Sequence, residues 1–237
     1  MKKFNLFAAI AACIVFVSSC GNSSKKEEQV VSTPVKGTEY AITSTKVEGK
    51  VKYGISKNNQ QVVDNKFIAM SYNNGMFVGK FYEKLGWSEI SSDDLIDPET
   101  GKTVIQGESV QFKDGYFVAT SGAEGNHRYS LYFPDTKKSF SALAEGYVLK
   151  DNILISKVYD GWGAITTAND TLLVPDNSKL ALLETAKGNY FLYYDEGRWV
   201  KINAKREGDY VSAAELNRLK KLPGWSDTKE AFVVSTK

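Results

Sequence analysis

Turn residues recur along this chain at intervals of about 37 residues, and each turn precedes a short aliphatic or aromatic run. The turn residues Gly75, Gly115, Asn152 and Gly188 are 40, 37 and 36 residues apart. They lie in the segments 72–83, 112–123, 149–160 and 186–197. Gly and Asn suit the positive φ that tight hairpin turns demand. The pattern therefore predicts a series of β-hairpins.

A second series of segments, each with the pattern strand, turn, strand, lies between these turns. It comprises residues 52–63, 94–105, 128–140, 161–174 and 198–211. A fixed period of this size is typical of repeat architectures. The predicted fold is therefore all-β, with about five antiparallel hairpin repeats of about 37 residues. The repeats are expected in a propeller-like arrangement or, alternatively, in an open stacked β array.

Two of the repeats also share short motifs. The sequence GWGAI (161–165), followed by Val174-Pro175 and Lys179-Leu180, resembles a WG repeat, in which a Trp-Gly pair and an Ile precede a polar turn. The sequence KYGI (52–55), followed by Val62-Val63 and Lys66-Phe67, resembles the same repeat with Tyr in place of Trp. The turn Gly that usually precedes the second strand is absent from both. The resemblance implies a β-repeat domain over residues 52 to about 211.

The two ends of the domain and one helix complete the predicted fold. Residues 39–45 (EYAITST) and 230–236 (EAFVVST) are isolated strand-like segments, and a closed ring would place both in one sheet. Residues 212–224 (SAAELNRLKKLPG) predict a short C-terminal helix. Its capping box is formed by Ser212 and Glu215, and Pro223-Gly224 ends it.

The N-terminus has the layout of a secretory signal. Lys2 and Lys3 precede an apolar run at residues 7–17, which is too short to span a bilayer. The next residues, Val17-Ser18-Ser19-Cys20, resemble the lipobox of bacterial lipoprotein precursors. The resemblance implies cleavage between Ser19 and Cys20, removal of the signal peptide 1–19, and acylation of Cys20 by diacylglycerol and palmitate. The membrane would then be a partner through this anchor.

Residues 20–37 are predicted to form a flexible tether between the anchor and a β-repeat domain at residues 38–237. The segment is rich in Ser, Lys, Glu and Gly and lacks aromatic residues, so it cannot bury enough apolar surface to order itself. Its charged start after Cys20 resembles the tethers that direct surface export in some lipoproteins of the Bacteroidetes type. The expected location is the cell envelope, at the outer membrane, with the periplasmic and surface faces both open.

Charge and cysteine content exclude several classes of function. The chain has 30 basic and 28 acidic residues, and loss of Lys2 and Lys3 with the signal peptide leaves equal numbers. A nucleic-acid partner is not expected, because such proteins usually carry a clustered basic excess. Loss of Cys13 leaves Cys20 as the one cysteine, so no internal disulfide is expected.

The sequence predicts neither a catalytic site nor a cofactor or metal site. His127 is the single histidine and stands in a loop context, where an exposed side chain is favoured over a base. The acidic segment at residues 91–102 lacks the ligand spacing of a calcium loop. Its sequence Asp97-Pro98-Glu99-Thr100-Gly101 predicts a turn.

Aromatic residues are the more informative group, with 13 Tyr, 12 Phe and 4 Trp. In the strand at residues 190–194, large side chains are predicted on both faces. Burial between sheets is the favoured interpretation, because aromatic pairs are common in sheet packing. If they are exposed, Trp162, Trp199 and Tyr193 would be ligand-facing residues suited to a sugar or a peptide.

The leading hypothesis for function is a non-enzymatic binding or scaffolding module, lipid-anchored in the envelope, with a protein or glycan ligand. Repeats suit this role because they build extended binding surfaces. One alternative is a polysaccharide-active enzyme that uses paired carboxylates such as Asp94 and Asp160. Another is an accessory subunit of an outer-membrane complex, which would expose a large apolar patch.

Overall fold

The computed structural model describes residues 14–15, 30–47, 49–123, 127–158 and 160–236. The chain divides into two compact units, an N-terminal unit (Met1–Phe112) and a C-terminal unit (Lys113–Lys237). Strands dominate both, and the described residues contain a single α-helix, near the C-terminus. The predicted all-β fold of antiparallel hairpins with one short helix is therefore confirmed.

The N-terminal unit contains two sheets whose strands follow chain order. The first sheet consists of β1 (Ile14–Val15), β2 (Val31–Pro34), β3 (Tyr40–Val47), β4 (Lys50–Lys57) and β5 (Gln60–Phe67). The second consists of β6 (Ala69–Asn73), β7 (Met76–Leu85), β8 (Ser88–Ile96) and β9 (Thr103–Gly107). Buried residues of both sheets form one apolar cluster that includes Tyr40, Ile55, Phe67 and Phe77.

The C-terminal unit begins within β10 (Ser109–Lys113), which spans the boundary between the units. A meander of six strands follows, in which each strand pairs with the next. Its strands are β11 (Tyr116–Ser121), β12 (Arg128–Phe133), β13 (Lys138–Lys150), β14 (Ile153–Val158), β15 (Gly161–Thr166) and β16 (Thr171–Asn177).

The last sheet has the order β20-β19-β18-β17-β21. Its strands are β17 (Leu180–Thr185), β18 (Gly188–Asp195), β19 (Arg198–Ile202), β20 (Gly208–Tyr210) and β21 (Ala231–Ser235). The helix α1 (Ala213–Leu219) lies between β20 and β21. Two apolar clusters occupy this region, one around Leu182 and Ile155 and the other around Trp199 and Phe232.

Local turn chemistry explains the hairpins. Asn74 and Gly75 have φ values of 47° and 82°, and Asp114 and Gly115 have 48° and 91°. Two consecutive positive φ angles define the type I′ turn, whose twist matches that of the flanking strands. The predicted turn at Asp97–Gly101 is also present, since the Gly101 N–H donates to the Asp97 carbonyl oxygen at 2.8 Å.

The structure corrects the expected start of the folded region. The strand β2 lies within the segment 20–37 that composition predicts as a tether, and it pairs with residues 41–44 of β3. Its four residues need little apolar burial of their own, because the existing strand supplies the backbone hydrogen bonds. Ile14–Val15 pairs with β2 as well and lies inside the predicted signal peptide.

The pairing expected between the two chain ends is wrong. The segments 39–45 and 230–236 both form strands, but β3 and β21 belong to different sheets. Strand β21 pairs in parallel with β17, and its residues Phe232 and Val234 are buried beside Trp199. A parallel partner needs a long crossover connection, which residues 186–230 provide.

The helix is shorter than the predicted span 212–224. Its N-cap is Ser212 as expected, and the Glu215 N–H donates to Ser212 Oγ at 3.2 Å. The helix ends at Leu219, and the next residues continue in tight turns, with the Leu222 N–H donating to the Leu219 carbonyl oxygen at 3.0 Å.

The two segments with WG-like motifs share a backbone irregularity. Tyr53 and Ile55 of β4 pair with Phe67 and Val63, so a span of two residues faces a span of four. Trp162 and Ala164 of β15 pair with Asn177 and Leu173 in the same way. In the second case the Asn177 side chain is buried, and its Nδ2 donates to the carbonyl oxygens of Trp162 and Val174.

Glycine is required on the strand that lies opposite each of these two bulges. A Cβ placed on Gly163 would lie 2.9 Å from the carbonyl oxygen of Leu173 and 2.9 Å from the Pro175 Cα. A Cβ on Gly54 would overlap the carbonyl oxygen of Val63. Both obstacles are backbone atoms, which cannot move without disturbing the ladder.

We expect Gly163→Ala to lower the free energy of unfolding by roughly 1–3 kcal/mol, the usual cost of overpacking a well-packed site. Urea unfolding followed by circular dichroism measures the change. Ser139→Ala, at an exposed position of β13, is the control and should change stability by less than about 0.5 kcal/mol. An equal effect of the two substitutions would contradict the backbone contact at Gly163.

Candidate functional site

The candidate site is a cleft of 710 Å³ in the C-terminal unit, which we call the tyrosine cleft. Its lining is contributed by the β10–β11 turn, by β12 and by the second half of β13. The lining residues are Lys113, Asp114, Tyr116, Tyr129, Gly146, Tyr147, Val148, Leu149 and Asp151.

A bulge in β13 positions Tyr147 in this cleft. The register of β13 against β14 shifts between Ala144 and Tyr147, and Gly146 has a φ of 104°. Such a bulge bends a strand and re-aims its side chains. Tyr147 consequently joins Tyr116 and Tyr129, which come from two other strands.

The three tyrosine rings contact one another edge to face. The ring centroids of Tyr116 and Tyr147 are 6.3 Å apart, and those of Tyr129 and Tyr147 are 5.6 Å apart. The hydroxyl groups of Tyr116 and Tyr147 form a hydrogen bond of 2.9 Å. Burial and this hydrogen bond raise the pKa of the Tyr147 hydroxyl above its ordinary value. The Tyr147 hydroxyl therefore stays protonated at neutral pH, and it can both donate and accept hydrogen bonds.

Charged side chains stand at the rim of the tyrosine cleft. Asp114 and Asp151 occupy turn positions with φ values of 48° and 52°, and both are exposed. Lys113 is exposed beside them. The cleft thus combines aromatic faces in its floor with carboxylate acceptors and one cation at its edge.

A second cleft, of 530 Å³, has Trp199 among its lining residues, and we call it the tryptophan cleft. The ring of Trp199 lies 5.5 Å from Tyr194 and 5.4 Å from Trp225. Asp227 lies at its edge, where it accepts a hydrogen bond from Trp225 Nε1 at 3.1 Å and pairs with Lys220 at 3.2 Å. The Trp225 hydrogen bond and the Lys220 ammonium lower the pKa of the Asp227 carboxyl.

The aromatic residues selected from the sequence are mostly buried. Trp162 is 5% exposed, and its Nε1 donates to Glu230 Oε2 at 2.9 Å. Trp199 is 9% exposed, so only its edge reaches the tryptophan cleft. Tyr193 is half-buried against the cluster around Leu182, and burial raises its pKa. The structure therefore does not bring the three together as a ligand platform, because Trp162 and Tyr193 pack in the cluster around Leu182 whereas Trp199 packs in the cluster around Phe232.

Other candidate residues also have defined places. Ser19 and Cys20 lie outside the described residues. His127 is half-buried, with its ring 6.4 Å from that of Tyr129, and its buried Nδ1 has no hydrogen-bond partner among the described residues. The sequence favoured an exposed side chain there.

The carboxylates of the enzymatic alternative lie in different units and differ in exposure. Asp94 is 9% exposed, and its two oxygens accept hydrogen bonds from Ser92 Oγ at 2.8 Å and Thr103 Oγ1 at 3.2 Å. Asp160 is exposed and belongs to the C-terminal unit, whereas Asp94 belongs to the N-terminal one. Within the described ranges, no group of three or more His, Cys, Asp or Glu residues could hold a metal ion.

Sequence reasoning missed the tyrosine cleft. The signals available were Tyr116 directly after the Asp114-Gly115 turn and Gly146 inside a long strand pattern, since an isolated Gly in a strand suggests a bulge. Nothing in the period-2 pattern shows which strand faces become neighbours.

Comparison with known proteins adds no assignment. No protein-family model matches the chain, and no curated protein is significantly similar to it in sequence. Among the described residues, no helix is long and apolar enough to cross a membrane.

The Tyr116–Tyr147 contact predicts a pH dependence. Because the folded-state pKa of Tyr147 is raised, folding favours its protonated form, and the stabilisation is complete below the unfolded pKa of about 10. It is lost as pH rises from about 10 towards the raised folded pKa. Urea unfolding at pH 8 and pH 10.5 should show a smaller alkaline loss of stability in Tyr147→Phe than in the wild type. Equal losses would show that Tyr147 does not contribute.

Proposed function

We propose that this chain is a lipid-anchored protein of the bacterial envelope whose β domain is a non-enzymatic binding module. The tyrosine cleft is the observation that carries the binding function, because three tyrosines from different strands and two carboxylates converge on one concavity. The anchor is proposed from the signal layout and the lipobox-like sequence Val17–Cys20. The outer membrane is the proposed location.

We propose a glycan as the ligand of the tyrosine cleft. Sugar rings pack their apolar faces on aromatic side chains, while their hydroxyl groups need donors and acceptors at the edge. Tyr129 and Tyr147 are half-buried and supply both ring surface and hydroxyl groups. The exposed Asp114 and Asp151 supply charged acceptors, which form stronger hydrogen bonds than neutral ones.

The finer architecture is also a proposal. We assign five repeats of four consecutive strands, with β13 divided at its bulge between the third and the fourth. The repeats are β2–β5, β6–β9, β10 to the first half of β13, the second half of β13 to β16, and β17–β20. They would form a propeller-like domain or, alternatively, an open stacked array. The shared bulges opposite Gly54 and Gly163 support the relation to WG repeats.

The cleft is tested by neutralising its carboxylates. Binding to a panel of neutral oligosaccharides should be detectable by calorimetry, and Asp114→Asn and Asp151→Asn should each weaken it about tenfold, as expected for loss of a charge-assisted hydrogen bond of about 1.5 kcal/mol. Asn tolerates the positive φ of these turns. Asp135→Asn, at an exposed turn outside the cleft, is the matched control. Unchanged affinity in both cleft variants would contradict the assignment.

The anchor is tested independently at Cys20. The wild-type chain should fractionate with membranes, and mass spectrometry should find an acylated N-terminal peptide that begins at Cys20. Cys20→Ala should abolish both, because the thiol is the acylation point. A soluble wild-type chain with an unmodified Cys20 would overturn the proposed anchor.

A further inference from the structure

The hairpin of β7 and β8 extends beyond its own sheet as a two-stranded arm. Strand β6 pairs with residues 76–80 of β7, and β9 pairs with residues 93–96 of β8. The remaining residues, 81–85 and 88–92, pair with each other. We call residues 81–92 the arm. Its outer part, from Glu83 to Ser91, is exposed wherever side-chain burial is described.

A fully exposed tryptophan stands at the tip of the arm. Trp87 is in the two-residue turn and has a relative exposure of 105%. Among the arm residues whose side-chain burial is described, Ile90 is the other large exposed apolar residue, at 45%. The residues next to Trp87 in the chain are Gly86 and Ser88, and Lys84 lies 3.8 Å from Glu89. An indole in this position adds nothing to the core, so its role lies in contact with something outside the chain.

Cross-strand pairing shows where the start of β2 lies relative to the arm. Val31 pairs with Ser44, Ser44 with Tyr53, and Tyr53 with Phe67, so these residues form one row across the first sheet. The Phe67 ring lies against Gly79, where a Cβ would be 2.7 Å from it. The base of the arm is therefore beside the row that contains the first residue of β2.

The direction of β7 follows from a second contact. The ring of Phe77 lies 5.9 Å from that of Tyr40, at the opposite end of β3 from Ser44. From Phe77 to Gly79, β7 thus runs from the Tyr40 end towards the row of Val31. Beyond Lys80 it continues past that row. The arm and the segment that enters β2 consequently leave the N-terminal unit at the same end.

The reach of the arm matches that of the predicted tether. Five residues beyond Lys80, at about 3.3 Å each, extend about 17 Å. If the residues before Val31 behave as the predicted tether, the 11 steps of chain from Cys20 to Val31 correspond to a mean span of about 17–20 Å. Trp87 can therefore reach the plane in which an acylated Cys20 would be held.

We propose that the arm is a membrane-contact element, in which Trp87 enters the interface of the bilayer that holds the acylated Cys20. This proposal rests on the proposed lipid anchor. Tryptophan favours the membrane–water interface because its ring is apolar and its N–H is polar. One indole binds weakly, but tethering raises the effective concentration to the millimolar range, at which a weak contact is populated. The contact orients the β domain on the membrane.

A lipid surface fits the arm better than a protein partner does. A stable protein interface buries about 800 Å² on each partner around an apolar centre, whereas the large exposed apolar side chains described in the arm are Trp87 and Ile90. Within the arm, the positive charge of Lys84 is outweighed by Glu83 and Glu89. Binding should therefore not require anionic lipid.

Fluorescence quenching by brominated lipid tests the proposal. The full-length lipidated chain is reconstituted in phosphatidylcholine vesicles with and without dibrominated acyl chains. We expect bromine to quench the wild type more than Trp87→Phe, whose remaining tryptophans are Trp162, Trp199 and Trp225. The double variant Trp87→Phe/Asn73→Trp, which moves the indole to the exposed end of β6 beside the start of β7, at the opposite end of β7 from the arm, should show no additional quenching. Equal quenching of wild type and Trp87→Phe, or of wild type and the double variant, overturns the proposal.

Failure of the anchor is distinguished from failure of the arm by two further measurements. Mass spectrometry of the Cys20 peptide reports acylation in the same samples. The mature chain with an N-terminal hexahistidine in place of Cys20 is held on nickel-chelating lipid, so that quenching of Trp87 is measured without acylation. Quenching there supports the arm whatever the state of Cys20, and its absence overturns it.

Discussion

The backbone ladder between consecutive antiparallel strands holds this protein together. Within each sheet the strands follow chain order, and in the described residues the single departure is β21, which pairs in parallel with β17. Apolar residues are divided among several clusters and not gathered in one large core. Pairing between consecutive strands, in several places through type I′ turns, therefore accounts for most of the ladder contacts within the sheets.

The same ladder determines where the structure departs from regularity. Where β5 and β16 bulge, only glycine fits on the facing strand, and side-chain amides such as that of Asn177 satisfy the freed carbonyl groups. Where β13 bulges at Gly146, the ring of Tyr147 contacts the rings of Tyr116 and Tyr129. The candidate binding site is thus a consequence of an interruption in the ladder, as is common for sites built on sheets.

The two proposed contacts of the protein differ in chemistry and in location. The tyrosine cleft, in the C-terminal unit, combines tyrosine hydroxyl groups with carboxylates, which suits a hydroxyl-rich ligand. The arm, in the N-terminal unit, carries the fully exposed Trp87 at its tip and extends from the end of that unit at which β2 begins. One contact would hold the ligand and the other would orient the domain that presents it.

The sequence by itself determined the hairpins, the turn at Asp97–Gly101, the N-cap at Ser212 and the all-β class. These features depend on local φ preferences and on alternation, both of which are written in neighbouring residues. The resemblance of Val17–Cys20 to a lipobox likewise depends on neighbouring residues alone, and the anchor that it implies stays a prediction. Tertiary structure alone decided that β21 pairs with β17 and that β2 belongs to the first sheet. It also decided that Trp162 is buried whereas Trp87 is exposed. Those outcomes depend on which strand edges and faces meet across long separations, and residue alternation along one strand carries no information about its distant partner.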